Sequence, residues 1–201
     1  MTLLLFVRHG ATDAAGKVLS GRLGGFPLNA LGQAEARAVS EMLSTVQLEA
    51  VYSSPLERAL GTAERIAAAR PLNVRVRESL TDIDFGAWSG RSIAELEGVD
   101  EFRRFNAHRA VAHVPEGERV GAVQARMVEA VAEITSTHPT GAVAVVSHAD
   151  PIRFALAFFL GLALDHTHRL EIATGSISGL ELNEYDARLL YLNVRGALAA
   201  R

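Results

Sequence analysis

The sequence predicts an α/β fold, a three-layer sandwich with a mostly parallel central sheet and helices on both faces. Three observations carry this. Short runs of β-branched and aliphatic residues alternate with longer stretches at helical spacing. Two of those runs, residues 3–7 and 142–146, are continuously apolar, as strands buried on both faces are. No linker, internal repeat or low-complexity block interrupts the alternation, so residues 1–201 read as a single domain.

Residues 3–7 form the first predicted strand. A helix follows over residues 31–44, with Leu31, Ala34, Ala38 and Met42 on one stripe and Asn29 as its N-cap. The second strand is expected at 50–53. Ser54-Pro55-Leu56-Glu57 then combines a capping box with proline at the first helical position, which predicts a helix running to about residue 69 and stopped by Pro71. Residues 74–76 are the third strand. From 80 to 90 the chain reads as irregular, Ser92 and Glu95 offer another capping box, and short helices fit residues 92–106. Periodicity is weakest between about 80 and 117, so that stretch is expected to be a small cap insertion.

Residues 118–137 align Val120, Val123, Met127, Val131 and Ile134, the best amphipathic helix in the chain. After the strand at 142–146, Asp150-Pro151 is expected to cap and start the next helix. Its apolar run, 154–164, is far below the roughly 20 residues of a bilayer span. Two β-type runs, 177–183 and 189–194, flank a polar turn and read as a terminal hairpin.

Composition narrows the function classes. The chain is 49% hydrophobic and 21% charged, near globular averages, which excludes a disordered or fibrous protein. A formal net charge of −3 speaks against a general nucleic-acid or anionic-membrane binder. The absence of cysteine removes disulfide scaffolds, cysteine-based zinc sites and cysteine nucleophiles. The apolar start has no charged leader and meets Arg8 at once, so a soluble, cytoplasmic protein is expected. A homo-oligomer is compatible with the sequence, which does not set the oligomeric state.

The chemistry gathers at predicted strand ends, where open α/β sheets form their ligand crevice. Arg8-His9-Gly10 closes the first strand. Either an anion is met there, or Arg8 forms a strand-end salt bridge beside a hydrogen-bonded histidine. Arg58 falls in the first turn of a helix, where a cation opposes the macrodipole and a bound anion would explain it. His148 ends the strand at 142–146, and Asp82 and Asp84 sit in a loop leading to Gly86. Other motifs fail. Gly10 to Lys17 lacks P-loop spacing, with Val18 in place of the hydroxyl residue, and Gly175 to Gly179 has Ile177 where a hydrolase elbow needs serine. His166 and His168 read as loop residues, and His108, His113 and His138 as loop or surface residues. Trp88 is expected to pack in the cap or line a pocket mouth. Arg91, Arg103, Arg104 and Arg109 are expected to be solvated rather than to hold a second anion.

Taken together, the sequence resembles the histidine phosphatase superfamily, the phosphoglycerate mutase-like fold, in its small phosphatase branch. The matching pieces are Phe6 through Thr12, Ser20-Gly21-Arg22, Pro27 through Gly32, Ser53 through Ala59, the Gly86, Trp88 and Gly90 stretch, and Val146-Ser147-His148-Ala149. They stand in family order across nearly the whole chain. The resemblance implies that His9 is the nucleophile that becomes phosphorylated and that Arg8, Arg58 and His148 form the phosphate pocket. It further implies phosphate contacts from Thr12, Ser20, Gly21 and Ala149, with Asp82 as proton donor, and neither metal nor cofactor. The expected ligand is a small phosphorylated molecule.

Departures from the family pattern are local. Asp82 stands where glutamate is usual, with Asp84 as the competing acid. Ala15 replaces an expected asparagine, Ser89 a glutamate, and Ala149-Asp150 a Gly-Gly pair. Ala11, where mutases of this family usually carry glutamate, and the short stretch between Asp82 and His148 favour a phosphatase. A cofactor-dependent phosphoglycerate mutase is the alternative, and a non-catalytic phospho-ligand binder a second.

Overall fold

The computed structural model describes residues 1–196; residues 197–201, the end of the expected 1–201 domain, lie outside the described residues. Six strands, β1 (Thr2–Arg8), β2 (Leu48–Ser53), β3 (Val74–Val76), β4 (Gly141–Ser147), β5 (Ile177–Leu182) and β6 (Ala187–Val194), form one sheet in the order β3-β2-β4-β1-β5-β6. The neighbours among β3, β2, β4 and β1 run parallel, while β5 and β6 are antiparallel additions.

Strand periodicity divides the core. Leu4, Phe6, Tyr52, Val143 and Val145 face α5 (Val120–Thr137) and α6 (Ala149–Phe159). Leu5, Val7, Val51, Ala144 and Val146 face α1 (Ala30–Met42) and α2 (Glu57–Ala67). This is the expected sandwich. The cap carries two short helices, α3 (Ile93–Leu96) and α4 (Asp100–Ala107), and a small core that it shares with Val120 and Val123 of α5 and Phe154 of α6. There Trp88 meets the Phe102 and Phe105 rings edge to face, at 5.4 and 5.6 Å between centroids. Trp88 is therefore packing; burying each such phenylalanine is worth about 1.5–3 kcal/mol.

Three helix starts differ from expectation. The box at Ser54 does not form: α2 begins at Glu57, Ser54 turns its hydroxyl to His148, and Glu57 accepts from the Phe26 amide. Ser92 is the N-cap of α3 but makes no side-chain capping bond. His148, not Asp150, is the N-cap of α6, because the Asp150 carboxylate is held by Arg109 and Arg153. Asn29 does cap α1, accepting from the Gly32 amide at 2.9 Å.

The buried face of α1 also differs. Leu31 is 58% exposed and Ala34 and Ala38 are exposed, while Gly32, Glu35, Ala36, Val39 and Ser40 are buried. Helical periodicity counts apolar side chains, and this inward face is built on a glycine and a carboxylate. A Cβ on Gly32 would stand 2.0 Å from the Ala11 carbonyl oxygen, so only glycine lets α1 approach the loop after β1. Glu35 accepts from the Ala11 amide and the Thr174 hydroxyl. His138 is likewise buried rather than a surface residue, bonded to Glu49 and Tyr52.

Candidate active site

The register Arg8 to Ser147 ends β1 and β4 side by side, and β2 pairs Ser53 with Val146. The chain therefore leaves three adjacent strands at His9, Ser54 and His148. The His9 amide donates to the Ser147 carbonyl at 3.1 Å, and the two imidazoles meet with centroids 5.0 Å apart.

His9 is buried, and its Nδ1 lies 2.8 Å from the Gly10 carbonyl. A carbonyl only accepts, so Nδ1 carries the proton and Nε2 keeps its lone pair. Burial first, then the charges of Arg8 and Arg58, push the imidazole down to about 3. The ring is neutral at physiological pH. Its loop is fixed by the Gly10 amide donating to Thr62, whose hydroxyl donates back to the Arg58 carbonyl, and by Ala11 on Glu35.

Arg58 is almost completely buried in the first turn of α2. It donates to the carbonyls of Gly21 at 2.5 Å and Leu23 at 3.3 Å, and to Asp82 Oδ2 at 3.3 Å. Those acceptors offset the desolvation that lowers its proton affinity. Asp82 also accepts from the Ile83 amide, and its Oδ2 stands 3.6 Å from His148 Nδ1. Burial pushes its carboxyl up to about 6; Arg58 opposes this and Asp150 adds to it. Asp84 points elsewhere, accepting the Gly86 amide in the following turn.

His148 Nε2 is 2.8 Å from Ser54 Oγ, which also accepts from the Leu56 amide. Giving the buried hydroxyl's proton to Nε2 satisfies Ser54 and leaves the proton of His148 on Nδ1. That Nδ1 has no hydrogen-bond partner, nor has the buried Nε of Arg8, whose Nη1 holds the Ile172 carbonyl at 2.6 Å. Burial and several nearby positive groups keep His148 well below the ordinary histidine range, and burial and Arg153 lower Arg8. The group offers a bare imidazole nitrogen, two guanidiniums, unpaired donors and a carboxyl whose proton affinity is raised. It suits an oxyanion that is attacked at its centre and protonated at its leaving oxygen.

The structure thus brings together Arg8, His9, Arg58, Asp82 and His148. Gly21 joins through its carbonyl, and its φ of +49° and close approach to Ile83 explain the glycine. Ala149 opens α6, where helix amides are unpaired. Thr12 is buried beyond His9 and Ser20 begins the turn that closes at Leu23, but neither side chain is hydrogen-bonded into the group. Among the described residues no cluster of three or more His, Asp or Glu could hold a metal ion, and no helix is long and apolar enough to cross a membrane.

Sequence reasoning missed Ser54, Glu35, Thr62 and Asp150 as members or supports of the site. Arg109 is corrected too: it is buried, donates to Asp150 at 2.8 Å and lies over the rings of Phe105 and Phe154. Burial pulls Asp150 upward, but Arg109 and Arg153 outweigh it and hold the carboxyl below its usual value.

Known proteins share this arrangement of chain. Phosphoserine phosphatase 1 of Hydrogenobacter thermophilus is 30% identical over 199 residues, covering 96% of this chain and 93% of that one. A 2,3-bisphosphoglycerate-dependent phosphoglycerate mutase of Thermoplasma acidophilum is 28% identical over 186 residues, 90% of this chain and 88% of that one. The solved structure of Bacillus stearothermophilus YhfR matches with a TM-score of 0.90 at 28% identity, covering 99% and 98% of the two chains. The family model of the histidine phosphatase superfamily, branch 1, matches residues 4–195, and to that superfamily this chain belongs.

Proposed function

We propose that the protein is a metal-independent phosphatase that hydrolyses small soluble phosphomonoesters through a phosphohistidine on His9. The single observation that carries this is the fixed tautomer of His9, with Nε2 bare and its ring against that of His148, which in turn faces the Asp82 carboxyl held by Arg58. In the first step Nε2 attacks phosphorus, the P–O bond to the alcohol breaks, and Asp82 gives its proton to the departing oxygen. In the second step Asp82 takes a proton from water as that water attacks the phosphohistidine, which returns free His9 and inorganic phosphate. Arg8, Arg58 and His148 hold the three equatorial oxygens, the charge neutralisation that phosphoryl transfer demands. Two guanidiniums supply that neutralisation without a metal ion.

Asp82 is preferred to Asp84 because its carboxyl shares the pocket with Arg58, while Asp84 is spent on Gly86. Burial favours its neutral form, as a proton donor requires. The resemblance to phosphoserine phosphatase 1 supports the hydrolytic reading.

A mutase on the same machinery is the second reading, favoured by the 28% identical mutase. That match covers 88% of the mutase, so a short chain does not separate the activities. Release of inorganic phosphate from p-nitrophenyl phosphate, against interconversion of 2- and 3-phosphoglycerate primed by bisphosphoglycerate, distinguishes them. The decisive test is a rapid-quench trap. Wild type should yield an acid-labile phosphohistidine and His9→Ala none; turnover by His9→Ala equal to wild type would overturn the proposal.

A further inference from the structure

The loop that carries Asp82 is held at several carbonyls: Ser147 Oγ donates to that of Leu80 at 2.7 Å, and one side chain of α5 takes three more. Arg126, on α5, donates from Nη1 to the carbonyls of Ser79 and Thr81, both at 2.7 Å, and from Nη2 to the carbonyl of Asp82 at 3.0 Å. Its Nε and Nη2 also reach the two carboxylate oxygens of Glu118, at 2.9 and 3.1 Å. Every nitrogen of the guanidinium is engaged, and three of its acceptors are backbone oxygens in or just past a single 3₁₀ turn, Glu78–Leu80, outside the sheet's ladders. From the other side Arg22 donates to the Asp82 carbonyl and to Glu118. The Glu118 amide in turn donates to the Asp84 carbonyl.

We infer that Arg126, oriented by Glu118, is the positioning residue of the proton donor: its fork fixes the backbone at Asp82, so that the carboxyl faces the leaving oxygen instead of swinging away. The inference rests on the reading of Asp82 as proton donor. A lysine there keeps the charge and cannot span three carbonyls and a carboxylate at once.

The consequence is selective. Protonation matters most when the leaving alkoxide is poor and least when it is a stable phenolate. The test compares Arg126→Lys, Glu118→Gln and Asp82→Asn with wild type, using glycerol 1-phosphate and p-nitrophenyl phosphate. Read as kcat/KM, which reports the first chemical step and not the phosphohistidine hydrolysis that both esters share, Arg126→Lys should lose about 100-fold on glycerol 1-phosphate, the scale of an ångström of misplacement. On p-nitrophenyl phosphate kcat/KM should fall no more than about 5-fold, because the phenolate leaves without a proton and the phosphate pocket is untouched. Glu118→Gln, which keeps Arg126 and frees it to drift, should show the same preference in weaker form and covers the case in which Arg126→Lys does not fold. Equal losses on both esters, or none, in both variants while Asp82→Asn discriminates would overturn the inference alone. If Asp82→Asn itself loses both esters equally, the proton-donor reading fails and the inference with it.

Discussion

Asp82 Oδ2 stands 3.6 Å from Nδ1 of His148, beyond hydrogen-bond range, while Arg58 reaches the same oxygen at 3.3 Å. The acid is thus tethered on one side and faces an unsatisfied imidazole nitrogen on the other. A phosphoryl oxygen entering between them would give that nitrogen its partner. The carboxyl is then left to the leaving group. Asp82→Asn keeps the shape and removes the proton, so kcat on alkyl phosphates should fall about 10²–10⁴-fold in steady-state assays. Unchanged turnover would remove Asp82 from the mechanism.

Ser54→Ala tests the orientation of His148. Losing the 2.8 Å bond frees the imidazole to tautomerise and leaves its buried Nε2 without a partner. The cost of one such buried group is about 1–3 kcal/mol, so kcat/KM should fall about tenfold or more and the melting temperature by several degrees. A variant with wild-type kinetics would show that Ser54 is only a loop residue.

The pH dependence follows from signs. Asp82 must be protonated in the first step, and burial raises it to about 6, so kcat/KM on alkyl phosphates, which reports the free enzyme, should decline as pH rises above that value. In kcat, bound phosphate, being negative, moves this limb higher. His9 sits at about 3 and stays neutral, so it imposes no falling limb on the acid side down to about pH 4. Asp150→Asn deletes a negative charge that raises Asp82. The loss shifts the alkaline limb to lower pH; a limb that stays put or rises would contradict this electrostatic account.

Two glycines should respond in opposite directions. A Cβ at Gly10 would lie 2.4 Å from the Gly32 carbonyl oxygen, backbone that cannot yield without moving the loop of His9. Gly10→Ala should therefore destabilise by at least about 1–3 kcal/mol and lower kcat as well. Gly121 lies in α5 with open space around its Cβ direction, so Gly121→Ala should stabilise by about 0.5–1 kcal/mol with kinetics unchanged. Thermal melts of both proteins check the pair.

The sheet, its two helical layers and the five groups at its edge were legible because strand-end arginines and histidines stand out against apolar runs. What escaped notice is polar chemistry that looks like something else. Ser54 has the spacing of a cap, yet its hydroxyl serves His148. Glu35 and Gly32 look like solvent-facing positions of α1, and they form the surface that grips Gly10 and Ala11. Arg109 reads as ordinary surface charge and Arg126 falls in none of the motifs, because nothing in a linear pattern reveals which acceptors lie within reach. Hydrophobic periodicity finds faces that repel water; it is blind to faces built on hydrogen bonds.

The pairing of β1 with β4 has a kinetic consequence. His9 and His148 are 139 positions apart in the chain, and they become neighbours only when the two central strands zip together, with the Ser147 carbonyl accepting the His9 amide. Closing so long a loop is a slow step, since its entropy is lost before contacts reward it. No partly folded chain can assemble the anion pocket before that step. Refolding followed by vanadate binding should therefore trail refolding followed by helical circular dichroism, and a protease nick between the two strands should abolish the pocket while sparing much of the helix content.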